Sequence, residues 1–161
     1  MTKQQWLKKS TMAVMLGTSL LMFVEAGQAA AAQLDTTAVV KSAYDLMGKP
    51  YSSGGNGPSS FDSAGYVAYV MKQMGVQVDD TISALQKAGK SVSKSELQPG
   101  DIVFFHSSST YVGVYVGNDK FLYCSQSKGG VVEQSFKAVE KYFTGARRVS
   151  TPTSGTTPST G

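Results

Sequence analysis

The feature that most constrains this chain is a change of period near residue 100. Before "LQPGD" the apolar residues recur at helical spacing, and after it they alternate. In "DTTAVVKSAYDLMG", Val40, Ala43, Tyr44 and Met47 lie at helical intervals, Asp35 or Thr36 can cap the start, and Gly48 can end the run. A second helix is predicted from about Ser63 to Met74, with Val67, Val70, Met71 and Met74 as its buried stripe and Gly75 closing it. A shorter helix is predicted over 81–88, capped by Thr81. The segments "DIVFF", "YVGVYVG", "KFLYCS" and "GVVEQSF" then read as successive strands, with "GND" at 117–119 as a hairpin turn. A short helix in "KAVEKYF" precedes a last strand, "GARRVS". Helices followed by an antiparallel meander predict an α+β fold: N-terminal helices packed on an antiparallel sheet of five or six strands.

The two ends of the chain read differently from its middle. Residues 1–32 have the three parts of a secretory signal: Lys3, Lys8 and Lys9, then the apolar run "MAVMLGTSLLMFV", then small residues with Ala-x-Ala exits near Ala31 or Ala32. The apolar run is too short to cross a bilayer, which takes about 20 residues. Residues 150–161, "STPTSGTTPSTG", hold no large apolar side chain and predict a flexible tail. Residues 33–149 remain as one domain with its own core. The expected product is a secreted monomer, extracellular or associated with the cell wall, with no membrane attachment once the signal is removed.

Charge and cysteine content exclude several classes. Three of the 15 basic and one of the 11 acidic residues fall in the signal, which leaves a net charge of +2. Arg147–Arg148 is only a pair and no basic stripe exists, so nucleic-acid binding has no support. The single cysteine, Cys124, cannot form an internal disulfide. One histidine and one cysteine cannot make a zinc site, and no motif calls for a cofactor.

Four segments, in order, carry a family resemblance: "GKPYSSGGNGPSSFDSAGYVAYV", "ELQPGDIVFF", "YVGVYVGNDKFLY" and "GARRV". Together they resemble the NlpC-type cell-wall peptidases, papain-like cysteine endopeptidases of bacterial envelopes. The resemblance implies a papain-like domain that cleaves between γ-D-glutamate and a diamino acid in peptidoglycan stem peptides. It implies a Cys in "FDCSG" at a helix start, where the helix dipole and a neighbouring His favour thiolate. It implies a basic His opening the "HVGIYIG" strand, and an orienting residue, usually His, in a "FIHA"-like segment.

Carried over by position, the resemblance removes the chemistry it implies. "FDSAG" puts Ser63 at the nucleophile position and Ala64 beside it. "YVGVYVG" puts Tyr111 at the base position, and "KFLYCS" puts Tyr123 at the orienting position. "YSSGG" places Ser53 where the family usually has Trp. A serine hydroxyl needs a base to become nucleophilic. A phenol of pKa about 10 cannot accept that proton near neutrality. Changes at so many positions read as divergence and not as a single inactivating substitution.

Two rival chemistries use the residues that remain. Asp62, Ser63 and His106 supply the letters of a serine triad, but Asp62 and Ser63 are adjacent in the chain and His106 falls in the hairpin tip "FFHSSST". Cys124 could pair with His106; strand alternation instead turns Cys124 away from Tyr123 and toward the apolar side with Leu122. Tyr51, Tyr66, Tyr111 and Tyr123 all map near the ancestral groove. They either fill space left by lost function or line a pocket for a wall peptide or sugar. The resemblance places Tyr51 and Asp62 near the stem peptide's free amine, and the expected ligand contacts are Tyr51, Ser53, Asp62 and Tyr66. The expected function is a domain without peptidase activity that binds or modulates peptidoglycan, through its stem peptide, or a cell-wall protein. The alternatives are an active hydrolase using Ser63 or Cys124, and a secreted effector acting by protein contact.

Overall fold

The computed structural model describes residues 32–151. The predicted signal lies outside these residues except for Ala32, as does the predicted tail beyond Thr151. A two-residue strand, β1 (Ala32–Gln33), leads into α1 (Thr36–Asp45), α2 (Ser63–Gln73) and α3 (Ile82–Lys87). Strands β2 (Lys90–Val92), β3 (Ile102–His106), β4 (Thr110–Gly117), β5 (Lys120–Ser125) and β6 (Gly130–Ser135) follow. One helical turn, α4 (Phe136–Val139), precedes β7 (Phe143–Arg148) and a final two-residue strand, β8 (Ser150–Thr151).

Six strands form one antiparallel sheet in the order β2-β7-β3-β4-β5-β6. The fold is therefore α+β, as the change of period implies. The strand β2 has no forerunner in the sequence reading. Lys90 and Ser91 are exposed and only Val92 is buried, so no alternation stands out over three residues. The pair β1–β8 joins Ala32 to Thr151 and Gln33 to Ser150. Ser150 and Thr151 thus belong to the fold and not to a tail, because their backbone groups have a partner strand.

Alternation along the strands gives the sheet two buried faces. One face sets Ile102, Phe104, Val112, Val114, Leu122 and Cys124 against Val67, Val70 and Met71 of α2. The other sets Val103, Phe105 and Phe121 against Phe136 of α4 and Ala146 of β7. The helix α2 is buried on most of its surface, from Ala64 through Ala68 and again at Val70 and Met71, because it lies among the other helices and the sheet. Met74 is only half-buried. In α1 the inward stripe is Val39, Ala43 and Leu46, while Tyr44 and Met47 are exposed. Both stripes fit a 3.6-residue period; Tyr44 instead reaches across to β6, where its hydroxyl donates to Glu133 Oε2 at 2.6 Å.

One ion pair fastens the sheet's middle. Asp101, 1% exposed at the start of β3, accepts from Arg148 of β7 through both oxygens, each at 2.8 Å, and from Gln98 N at 2.8 Å. Arg148 also donates to Glu96 O at 2.9 Å. This two-point geometry satisfies the buried carboxylate and is the arrangement in which burying a charge is tolerated.

Candidate functional site

The loop before α2 fixes one wall of the site. Asp62 N donates to Gly55 O at 2.8 Å and Ser52 N to Phe61 O at 2.8 Å, folding residues 52–61 back on the helix start. Gly65 is required there: a Cβ would run into Gly55 O. Asp62 is the N-cap of α2, its Oδ1 accepting from Gly65 N at 2.6 Å. Ser63, the first residue of the helix, is half-buried where the helix dipole favours negative charge.

The opposite wall comes from β4 and β5. Tyr111 and Tyr123 project from the same face of these strands with ring centroids 5.2 Å apart and planes tilted by 34°. Phe105 stacks on Tyr111 at 5.1 Å and on Phe121 at 4.6 Å, and Phe121 stacks on Tyr123 at 5.3 Å. The four rings close into a quartet. Gly113 makes room for it, since a Cβ there would stand 2.8 Å from the Phe121 ring and 3.1 Å from Tyr123 Cβ. The two phenols are thus the outer edge of the second core as well as a wall of the site.

Between these walls lies a cleft of about 370 Å³. It gathers Ser63, Tyr111 and Tyr123 from three separate elements, together with Tyr51 and Cys124. The positions to which the resemblance assigned nucleophile, base and orienting residue therefore share one cleft, and the tyrosines leave it open. Burial, and next the neighbouring Tyr123 and Tyr142, push the Tyr111 phenol above its ordinary value. At neutral pH it is protonated and cannot act as a base.

The rival chemistries are not assembled. Asp62 is engaged with the helix start, and His106, exposed at the end of β3, has Nδ1 2.9 Å from Thr110 Oγ1. No hydrogen bond joins Asp62, Ser63 and His106 among the described residues. Cys124 is 2% exposed, and its thiol donates to Phe61 O at 3.1 Å. Burial, and then the Asp62 carboxylate, push the thiol up to about 11, so it is not a thiolate at neutral pH.

The expected ligand contacts divide. Tyr51 lines the cleft. Asp62 sits beside it with its carboxylate turned into the helix. Ser53 is exposed on the loop and is not part of the cleft wall. Tyr66 requires correction: it is 0% exposed, and its hydroxyl donates to Ala43 O at 2.9 Å. Three residues beyond Ser63, it points into the space between α2 and α1, where burial raises its pKa further. The sequence reading missed the cleft's rim, Ser107, Ser108, Ser109 and Thr110 on one side and Ser125, Gln126 and Ser127 on the other. The runs "HSSST" and "CSQS" were the available signal, two clusters of small hydroxyl residues at strand ends facing one another across a sheet.

Residues 48–148 match the model of the NlpC/P60 family. Among curated relatives, a probable endopeptidase p60 of Listeria seeligeri is 43% identical over 86 residues, covering 52% of this chain and 16% of its own. A probable endopeptidase of Corynebacterium glutamicum is 33% identical over 132 residues, covering 81% of this chain and 63% of its own. The chain thus spans less than two thirds of the length of either. Among solved structures, the NlpC/p60 domain of the peptidoglycan hydrolase SagA superposes with a TM-score of 0.65 at 28% identity, over 72% of this chain and all of that one. The P60 domain of an antigen from M. avium subspecies paratuberculosis gives 0.63 at 26% identity, over 71% and 93%.

Proposed function

Because the chain belongs to the NlpC/P60 family, we propose that it is a secreted domain that binds cell-wall peptidoglycan without cleaving its peptides. The relatives carry endopeptidase and peptidoglycan hydrolase in their names, and that points to the wall as the ligand. One observation carries the loss of cleavage: the cleft brings Ser63, Tyr111 and Tyr123 together, and no hydrogen bond joins Ser63 to a base among the described residues. A hydroxyl without a base has no route to a nucleophile at neutral pH. The only thiol nearby is held protonated by burial. The open cleft favours retained binding over a vestigial fold. The signal expected in residues 1–32 supports export to the wall.

The experiment combines retention and digestion. Purified protein without residues 1–31 is mixed with isolated sacculi, sedimented, and the soluble fraction examined for released muropeptides by mass spectrometry. Retention on sacculi with no release above buffer is the expected result. Release that disappears in Ser63→Ala or Cys124→Ala overturns the loss of cleavage. Absence of retention overturns wall binding and leaves protein contact as the function.

A further inference from the structure

We propose that the cleft takes a neutral oligosaccharide bearing hydroxyl and N-acetyl groups in preference to a charged peptide; this rests on the wall-binding reading and names the part of the wall that is held. Ten of the twelve residues lining the cleft carry a hydroxyl, and none of these described residues carries a formal charge. A peptide with free carboxylates and an ammonium group would lose hydration here without gaining a counter-charge from any lining side chain. The flanking ionisable groups stand outside the lining and already have partners. Asp62 Oδ1 accepts from Gly65 N at 2.6 Å, Lys128 Nζ donates to Gln134 Oε1 at 3.0 Å, and His106 Nδ1 lies 2.9 Å from Thr110 Oγ1.

A sugar meets complementary chemistry in the same place. Each Ser, Thr or Tyr hydroxyl both donates and accepts, so the wall can follow either sense of a sugar hydroxyl or amide. The rim hydroxyls are partly ordered already: Ser125 Oγ lies 3.2 Å from Ser127 Oγ and accepts from Lys128 N at 3.2 Å. The phenols of Tyr111 and Tyr123 bring apolar ring surface and polar tips to one wall, which suits a ring with both C–H and O–H edges. Their stacking on Phe105 and Phe121 fixes both rings before any ligand arrives, so little ordering is left to binding. The volume, about 370 Å³, is that of a small-ligand site.

Calorimetric titration of the full domain with the tetramer of N-acetylglucosamine, and separately with a stem tetrapeptide, tests the preference. The expected result is saturable binding of the tetramer, unchanged by salt, with the tetrapeptide weaker. Tyr111→Phe and Tyr123→Phe keep the aromatic quartet and so the fold, and remove only cleft hydroxyls. Each should weaken tetramer binding roughly two- to tenfold, the range for one hydrogen bond. Tighter binding of the tetrapeptide, no tetramer binding at millimolar concentration, or equal tetramer affinity in the Tyr111→Phe/Tyr123→Phe double variant overturns the proposal. Sacculi retention without tetramer binding overturns this inference alone; loss of sacculi retention overturns the reading beneath it.

Discussion

The ring of Tyr111 stands 5.2 Å from that of Tyr123, and both are locked into a quartet with Phe105 and Phe121. The residues at the positions to which the resemblance assigned base and orienting roles are structural members of a hydrophobic core. Both residues line the cleft, and their rings support the sheet. Removing either ring therefore costs stability, whereas removing the hydroxyl alone leaves the quartet in place.

Ser63→Cys alone will not give stem-peptide cleavage. The new thiol would lie at a helix N-terminus, but Tyr111 could not take its proton. Losing one member of a catalytic unit costs up to about six orders of magnitude in rate. Ser63→Cys with Tyr111→His and Tyr123→His restores the residue types, at the expense of the quartet, so low activity and a reduced melting temperature are expected together. Digestion of purified muropeptides by the wild type, the single variant and the triple variant checks this; full turnover by the single variant contradicts the role given to Tyr111.

Cys124 will resist alkylation in the native protein. It is buried, bonded to Phe61 O, and its pKa is pushed up to about 11. Iodoacetamide at pH 8 should modify it only at the rate of unfolding and quickly in denaturant. Fast native labelling, read by intact mass, would reopen the thiol as a nucleophile.

Tyr66→Phe should lower stability and leave ligand binding untouched. The substitution strips Ala43 O of its donor inside the core, which costs about 1–3 kcal/mol. Chemical denaturation measures the loss, and titration of any cleft ligand supplies the control. A binding defect without destabilisation would return Tyr66 to the site.

The helices, the strands β3 to β6 and the turn at Asn118–Asp119 are legible because each is a local property. The positive φ of Asn118 and Asp119 is what the "GND" signal anticipates. Tyr66 and the quartet are not legible in the same way. Helical spacing says which residues share a face but not how many faces are covered, and α2 is covered on most of its surface. Likewise, alternation separates Tyr111 and Tyr123 from Val112 and Leu122 without revealing that the second face is also buried. The Asp101–Arg148 pair joins residues 47 apart and has no local signature at all.

That pair gives a further expectation. Arg148→Ala leaves the Asp101 carboxylate buried with Gln98 N as its remaining partner, and should cost about 3 kcal/mol. Arg148→Ala combined with Asp101→Asn should recover part of it. Urea unfolding of the single and double variants measures both; a single-variant loss below 1 kcal/mol, roughly the ceiling for an exposed pair, would show the carboxylate to be better solvated than its burial implies.

The antiparallel pairing of Ala32–Gln33 with Ser150–Thr151 brings the entry and exit of the domain to one spot. A unit closed in this way is modular: it can be spliced into a host loop, or hung from a neighbour on either side, without stretching the polypeptide that carries it. Tension applied through the two flanking segments would peel this short clasp open first, because it holds only two residues on each strand, and would reach the six-stranded sheet and the cleft beside Ser63 only afterwards.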